Sequence, residues 1–258
     1  NGVMICREDD NTNGNGAIHQ QGAGFLAVRY ADIRSDARYG ILSNFSGQGL
    51  TVEHCRISSF QAGFSNPDAG TEYIRTLFTN GDITIRNNTM SGLIANSQAP
   101  EAVGVLLIHP QTSTDPPVAW TIENNSIEIT KPDQAKFSVG IRLNTPNGWC
   151  NPDDLYKINH NTVLLRGNNT NTEASAVTSA FYRFANAPLE PHTMEVKNNI
   201  FVNLIEGGDG VSHSAAWVRA DADGVLENAD IDFNNYYSAT DLTAFGNPEA
   251  GLVAYATL

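Results

Sequence analysis

The sequence predicts an all-β solenoid, and three observations carry that reading. An eight-residue stretch recurs along the 258-residue chain at a nearly constant interval. Within each copy, apolar and polar residues alternate. Asparagine, at 28 residues, gathers where each copy has to bend. The clearest copies are 83–90 (ITIRNNTM), 120–127 (WTIENNSI), 156–163 (YKINHNTV) and 194–201 (MEVKNNIF), with looser ones at 26–33 and 50–57 and a seventh read from Ile231. Copies starting at 26, 50, 83, 120, 156, 194 and 231 are separated by steps of 24, 33, 37, 36, 38 and 37. A repeat of this size is the mark of units that stack to share one continuous core.

The phase inside the repeat is physical. Position 0 is Leu26, Leu50, Ile83, Trp120, Tyr156, Met194 and Ile231, and position +2 is Val28, Val52, Ile85, Ile122, Ile158, Val196 and Phe233. The residue between them is mostly polar, which is strand alternation with one face buried. Position +7 is apolar again (Ile33, Ile57, Met90, Ile127, Val163, Phe201) and then Ser238, although strict alternation buries +6. The chain must therefore bend between +4 and +7. Asn88, Asn125, Asn161 and Asn199 stand at +5, with Ala31 and Cys55 in the earlier copies. Asparagine is expected there because it tolerates left-handed backbone.

A further strand family lies between copies. Its members are Tyr39-Gly40-Ile41-Leu42, Tyr73-Ile74-Arg75-Thr76, Gly104-Val105-Leu106-Leu107-Ile108, Gly140-Ile141-Arg142-Leu143, Phe181-Tyr182-Arg183-Phe184 and Trp217-Val218-Arg219-Ala220. Gly2-Val3-Met4-Ile5 is assigned to it by similarity. Segments rich in Asn, Asp, Gly, Pro, Ser and Thr, of uneven length, separate the strands.

This pattern resembles the right-handed parallel β-helix, the pectate-lyase-like superfold, in which coils stack and an asparagine at a bend runs through them as a ladder. The resemblance covers nearly the whole chain. It implies a single domain over 1–258 with about seven coils, a rod of roughly 34 Å at ~4.8 Å per rung. The tail, Asn234-Asn235-Tyr236-Tyr237 followed by Ala254-Tyr255-Ala256-Thr257-Leu258, resembles the closing segment of β-helix domains in large secreted bacterial surface proteins. The resemblance therefore implies a fragment of a longer secreted precursor, extracellular or on a bacterial cell surface. Open coil ends invite end-to-end stacking unless they are capped.

Composition narrows the partners. A net charge of −13 disfavours nucleic acid, which needs a basic footprint, and disfavours anionic polymers unless a cation bridges. No stretch approaches the 18 apolar residues of a membrane span. Three cysteines, Cys6, Cys55 and Cys150, cannot make a disulfide framework, and Cys55 at a bend position reads as a small core residue.

Several groups carry candidate chemistry. Asp9, Asn11, Asn13 and Gly14 match the opening of a calcium loop, but Gln20 stands where the closing Glu belongs. Calcium is thus the ion this loop would take, and no cofactor is required. Arg142, Arg183 and Arg219 are read as equivalent positions that would stack into a basic stripe. In the lyases of the resembled superfold, an Arg or Lys removes the proton α to a uronate carboxylate while a cation neutralises that carboxylate. Arginine's high pKa makes it a poor base; the simpler alternative is a ladder paired with Asp221 and Asp223. Trp149, Tyr156, Tyr182 and Trp217 are aromatic candidates for sugar stacking or for core packing. Asp153-Asp154 and Glu8-Asp9-Asp10 are candidate hydrolase carboxylates, but the Asn-Thr-Asp, Asp-Asp, Gly-His-Gly and Arg-Ile-Lys cluster of polygalacturonases is missing. His54 and His160 sit at +4, beside the bend. Three readings stand: a non-catalytic module contacting polysaccharide or cell-surface glycan through Arg142, Arg183, Arg219, Tyr182 and Trp217; a polysaccharide lyase or glycoside hydrolase acting on an acidic glycan; and a structural spacer of a surface protein.

Overall fold

The repeat becomes three strands per coil. The computed structural model describes residues 2–6, 16–35, 38–44, 47–59, 71–94, 101–108, 116–131, 135–145, 151, 153–173, 176–185, 193–208, 211–218, 229–239, 244–245 and 253–254. The first strands are β1 (Gly2–Cys6), β2 (Gly16–Gln21), β3 (Gly24–Arg29), β4 (Ala31–Ser35), β5 (Tyr39–Asn44) and β6 (Gly47–Glu53). They continue as β7 (Arg56–Ser59), β8 (Thr71–Leu77), β9 (Ile83–Arg86), β10 (Thr89–Ile94), β11 (Glu101–Ile108) and β12 (Ala119–Glu123). Next come β13 (Ser126–Lys131), β14 (Phe137–Thr145), β15 (Leu155–Asn159), β16 (Thr162–Asn168), β17 (Val177–Ala185) and β18 (Thr193–Lys197). The last are β19 (Ile200–Glu206), β20 (Ser212–Val218), β21 (Ala229–Asp232), β22 (Asn235–Ser238), β23 (Ala244–Phe245) and β24 (Val253–Ala254).

Every third strand joins the same sheet. The first sheet runs β3-β6-β9-β12-β15-β18-β21, the second β1-β4-β7-β10-β13-β16-β19-β22, and the third β2-β5-β8-β11-β14-β17-β20-β23-β24. All pairings are parallel except β23 with β24, which is antiparallel. The fold is a parallel β-solenoid, as the repeat predicts. β1 corrects one expectation: Gly2 pairs with Ala31, so β1 belongs to the second sheet and not with Gly104 and Gly140 in the third. The antiparallel β24 breaks the stacking rule at the edge of the third sheet, which blunts that edge. Among the described residues no helix is long and apolar enough to cross a membrane.

The interior is the set of positions the repeat marked. Leu50, Ile83, Trp120, Tyr156 and Met194 at position 0 are buried, as are Val52, Ile85, Ile122, Ile158 and Val196 at +2. From the second sheet, Ile33, Ile57, Met90, Ile127, Val163 and Phe201 at +7 close the same core. Aromatic side chains meet inside the core: Trp120 and Tyr156, on successive rungs, at 5.1 Å between ring centroids, Phe201 and Tyr236, also on successive rungs, at 5.8 Å, and Phe181 of the third sheet against Phe201 of the second at 5.6 Å. Each such aliphatic or aromatic burial is worth about 1.5–3 kcal/mol.

The bend is a division of labour between two adjacent positions. The left-handed residue is +4, not +5 as expected: Tyr30, His54, Asn87, Asn124, His160, Asn198 and Phe233 all have φ between 53° and 59°. These side chains are exposed, so the turn excludes them from the core and leaves the choice to Asn, His or an aromatic. Phe233 also resets the seventh copy. Met194 pairs with Ala229 and Phe201 with Tyr236, so that copy starts at Ala229, two residues before Ile231.

Position +5 carries the ladder. Asn88, Asn125, Asn161 and Asn199 are buried. The corrected phase adds Asn234. The Nδ2 of Asn125 donates to the carbonyl of Ile85 at 2.8 Å and to Oδ1 of Asn161 at 3.0 Å. Its own Oδ1 accepts from the backbone N and the Nδ2 of Asn88, at 3.1 and 2.9 Å. The same pattern repeats from Asn161 to Asn199 and from Asn199 to Asn234. At the other end Cys55 takes the position: its backbone N donates to Asn88 Oδ1 at 2.9 Å and its thiol points to the Val28 carbonyl at 3.6 Å. Burial pushes that thiol's pKa up, which keeps it protonated.

The two adjacent asparagines therefore predict opposite outcomes. Asn125→Leu takes the acceptor from the buried Asn88 backbone N–H and a donor from the Ile85 carbonyl, while Asn88 Nδ2 keeps the Val52 carbonyl; at about 1–3 kcal/mol per orphaned group, its urea midpoint should fall steeply. Asn124→Gly removes a side chain from a left-handed, exposed position and should be neutral or stabilising by a few tenths of a kcal/mol. Equal midpoints for Asn125→Leu and the parent would sink the ladder's role.

Candidate functional site

The outward face of the third sheet departs from a plain solenoid wall. Its strands carry a small residue where the second sheet presses closest: Gly40, Gly104, Gly140, Ala180 and Ala215. A Cβ on Gly140 would run into Val163 Cγ1 and come within 2.6 Å of the Ala180 carbonyl oxygen. Ile141, the next residue, is also buried in the core, so two successive residues point inward. The following residue then faces out. Counted from this small residue, the outward row reads Leu42, Arg75, Leu106, Arg142, Tyr182 and Trp217, each in register with the next.

This register keeps part of the predicted set together and breaks the rest. Arg142, Tyr182 and Trp217 are consecutive in the row. The Arg142 guanidinium lies 4.5 Å from the Phe137 ring centroid and 5.8 Å from that of Tyr182, and Tyr182 meets Trp217 edge-on at 6.0 Å. Arg142 NH1 also donates to Glu101 Oε1 at 2.9 Å. The stripe of Arg142 with Arg183 does not exist. Arg183 pairs with Leu143 and Val218, in the inward row, and is 1% exposed. A one-residue offset puts a strand side chain on the other face, which is why two arginines in similar sequence contexts part company. Arg219 lies outside the described residues, as do Trp149 and the calcium-loop residues Asp9, Asn11 and Asn13. Tyr156 is core. Asp154 is committed to structure: its carboxylate accepts from the backbone of Val118 and Asn151 and from the Tyr156 hydroxyl. Among the described residues no group of three His, Cys, Asp or Glu side chains is arranged to hold a metal ion.

The row is mostly covered. Tyr182 is 6% and Trp217 9% exposed, and both belong to an apolar cluster with Val103, Leu106, Val139 and Val177 on this outward face. Inside that apolar setting sits a charge cluster that the sequence reading missed. Glu72 on β8 is 1% exposed. Its Oε1 accepts from Arg75 NH1 at 2.9 Å, and the same nitrogen donates to the Tyr39 hydroxyl at 3.3 Å. The Arg38 and Arg75 guanidinium carbons lie 5.0 and 5.4 Å from the Tyr39 ring centroid. The Arg38 carbonyl accepts from the Glu72 amide at 3.0 Å, which ties the two residues together. Burial raises the Glu72 carboxyl to about 7, with Glu101 adding to the rise and Arg75 opposing it. Burial likewise pushes the Tyr39 hydroxyl up to about 12. A signal for this cluster was present: Thr71-Glu72-Tyr73-Ile74-Arg75 carries two charges three apart within an otherwise apolar strand family.

The charged outward row of the first sheet is paired within itself. On the first sheet, Arg29, Glu53, Arg86 and Glu123 are successive rungs of one outward row, with Arg29 Nε and Arg86 Nε on Glu53 at 2.9 and 2.6 Å. Deeper in the third sheet, Thr178 Oγ1 lies 2.8 Å from His213 Nδ1, and His213 Nε2 donates to the Gly207 carbonyl at 2.7 Å. Asn203 Nδ2 bonds Thr178 and the Ser214 carbonyl, so this polar knot is internal bracing. The fold places the protein in the class of parallel β-solenoids. Comparison with known family models, curated proteins and solved structures found no match.

Glu72 gives a pH dependence of definite sign. Its folded pKa is raised from 4.5 to about 7, so the folded protein keeps a proton that the unfolded chain gives up. Stability is therefore fullest below about 4.5, falls as pH rises through the window, and the loss is complete above about 7. Urea midpoints followed across this range should fall less in Glu72→Gln than in the parent. Identical slopes would show that the carboxyl does not hold its proton.

Proposed function

We propose that this chain is an extracellular, non-catalytic β-helix module that contacts an acidic polysaccharide through the outward face of the third sheet. The observation that carries the reading is the run Arg142, Tyr182, Trp217 on consecutive rungs. A guanidinium forks onto a carboxylate, and the parts of Tyr182 and Trp217 that stay exposed would meet sugar C–H groups on the next rungs, ~4.8 Å apart. Glu101 and the Phe137 and Tyr182 rings hold the Arg142 guanidinium in place, which lowers the ordering cost of binding. Secretion and display at a bacterial surface belong to the same reading, through the resemblance of the repeat and tail. Calcium would enter through Asp9, Asn11 and Asn13.

A catalytic reading has one observation in its favour. Glu72, its carboxyl raised to about 7, lies close enough to Glu101 to feel that charge, and glycoside hydrolysis uses two carboxyls as proton donor and base.

The test is a polysaccharide array covering pectate, alginate and glycosaminoglycans, run with calcium and followed by affinity electrophoresis on the hits. An acidic polymer should bind, and Arg142→Gln or Trp217→Ala should weaken it by about tenfold or more, the 1.4 kcal/mol scale of one such contact. Absence of binding across the panel would overturn the module and leave the spacer reading. Growth of unsaturated-uronate absorbance, or release of reducing ends, would overturn the non-catalytic assignment.

A further inference from the structure

The charge cluster beside the aromatic row has hydrogen-bonding capacity that the protein does not use. Glu72 Oε2 is buried and has no partner, and the same is true of Arg38 Nε and Arg142 Nε. Buried polar groups are nearly always paired, because an orphan gives up its hydration with no bond in return. Orphans of this kind recur here within one cluster, on one face, among side chains that act on each other electrostatically. The groups facing Glu72 are Arg75 on its own strand, Tyr39 and Arg38 from β5 and the residue before it, Glu101 on β11 and Arg142 on β14. Three guanidiniums thus stand against two carboxyls, a local positive excess on a chain whose net charge is −13.

We propose that Glu72, Arg38 and Arg75 form a binding site for a single carboxylate anion, with the free Glu72 oxygen and the Arg38 Nε–H as the groups that meet it. The chemistry selects a carboxylate. A protonated Glu72 carries one O–H, which can donate to a carboxylate oxygen in a short charge-assisted bond while a planar guanidinium takes the other oxygen. Ionised Glu72 has only lone pairs to offer and repels the same ligand. Occupancy is therefore coupled to the Glu72 proton: the anion holds the proton on, and loss of the proton expels the anion. The site shares the outward row through Arg75 and borders Arg142, but it needs neither Tyr182 nor Trp217.

The experiment is isothermal titration calorimetry of the whole chain with acetate, glucuronate, inorganic phosphate and glucose, at about pH 5.5 and about pH 8.5, on either side of the shifted Glu72 carboxyl. Saturable binding of a carboxylate at the lower pH, weakened about tenfold or more at the higher, is expected, with glucose silent. Acetate and glucuronate together would assign a site for free carboxylates, and glucuronate alone one for a sugar-borne carboxylate. Glu72→Gln keeps a donor at every pH and should bind equally at both. Arg38→Gln should weaken binding while keeping the pH profile, and it keeps the proposal testable if the Glu72 variant does not fold. No saturable carboxylate binding, phosphate binding alone, or an unchanged pH profile in Glu72→Gln would overturn the site. Carboxylate uptake with no polymer bound would sink the proposed function and leave this inference intact. Polymer binding without carboxylate uptake would do the reverse.

Discussion

The asparagine ladder is the constraint on which the rest of the solenoid depends. A coil that turns sharply at a left-handed residue leaves backbone amides and carbonyls at the corner that no strand partner can reach, and the corner is buried. Each ladder asparagine meets two of those needs at once: its Oδ1 takes the amide of the neighbouring coil's asparagine, and its Nδ2 returns a bond to the carbonyl at +2 of that coil. Because every asparagine satisfies groups belonging to the next coil, the corners lock the rungs in register. The stacked core side chains then meet like with like: isoleucine on isoleucine in the first sheet, aromatic on aromatic where Trp120 meets Tyr156. Cys55 shows what the position demands at minimum, a small side chain that can be buried and can still point a weak donor at a carbonyl.

Much of the fold was legible for this reason. A period-two pattern interrupted at a fixed place states both the strand and the bend, and seven copies state the stacking. What was not legible was which of two adjacent residues does which job. Asn-Asn at 87–88, 124–125 and 198–199 fits either assignment, and only His160-Asn161 and His54-Cys55 separate them. Histidine and tyrosine share the turn with asparagine, whereas the ladder position holds Cys55 and then asparagines from the second copy on. The seventh copy misled for the same cause. Phe233 looks like a core residue at +2, yet it is 72% exposed at the turn, and Asn234 behind it is the ladder residue.

The candidate site was half legible. Tyr182, Trp217 and Arg142 were named for their chemistry and do stand together, but Arg183 was grouped with Arg142 by local similarity of the sequence. In a strand a single step reverses the face, so similarity that ignores the small inward residue cannot place a side chain. Aligning Gly40, Gly104, Gly140, Ala180 and Ala215 first puts Arg75 and Arg142 in one row and sends Arg183 inside. It also exposes the cluster around Glu72, since Tyr73 occupies the small-residue position of β8 and reaches across to the Glu128 carbonyl at 2.7 Å.

Why chemistry should gather on the third sheet follows from how each outer face settles its polar groups. The first sheet alternates charges rung by rung, so Arg29, Glu53, Arg86 and Glu123 neutralise one another at the surface, where such pairs are nearly balanced by solvation. The second sheet presents short polar side chains such as Ser58, Thr89 and Ser126 over its early rungs. The third sheet does neither. Its outward rows are apolar enough to exclude water, and they still hold Glu72, Arg75, Glu101 and Arg142, with Asn44 Oδ1 and Asn144 Oδ1 orphaned in the neighbouring row. A low-dielectric face that carries unspent donors and acceptors destabilises the free protein by the same groups that would reward a ligand. Among the described residues, it is the wall beside which Glu72 Oε2, Arg38 Nε and Arg142 Nε stand unpaired together.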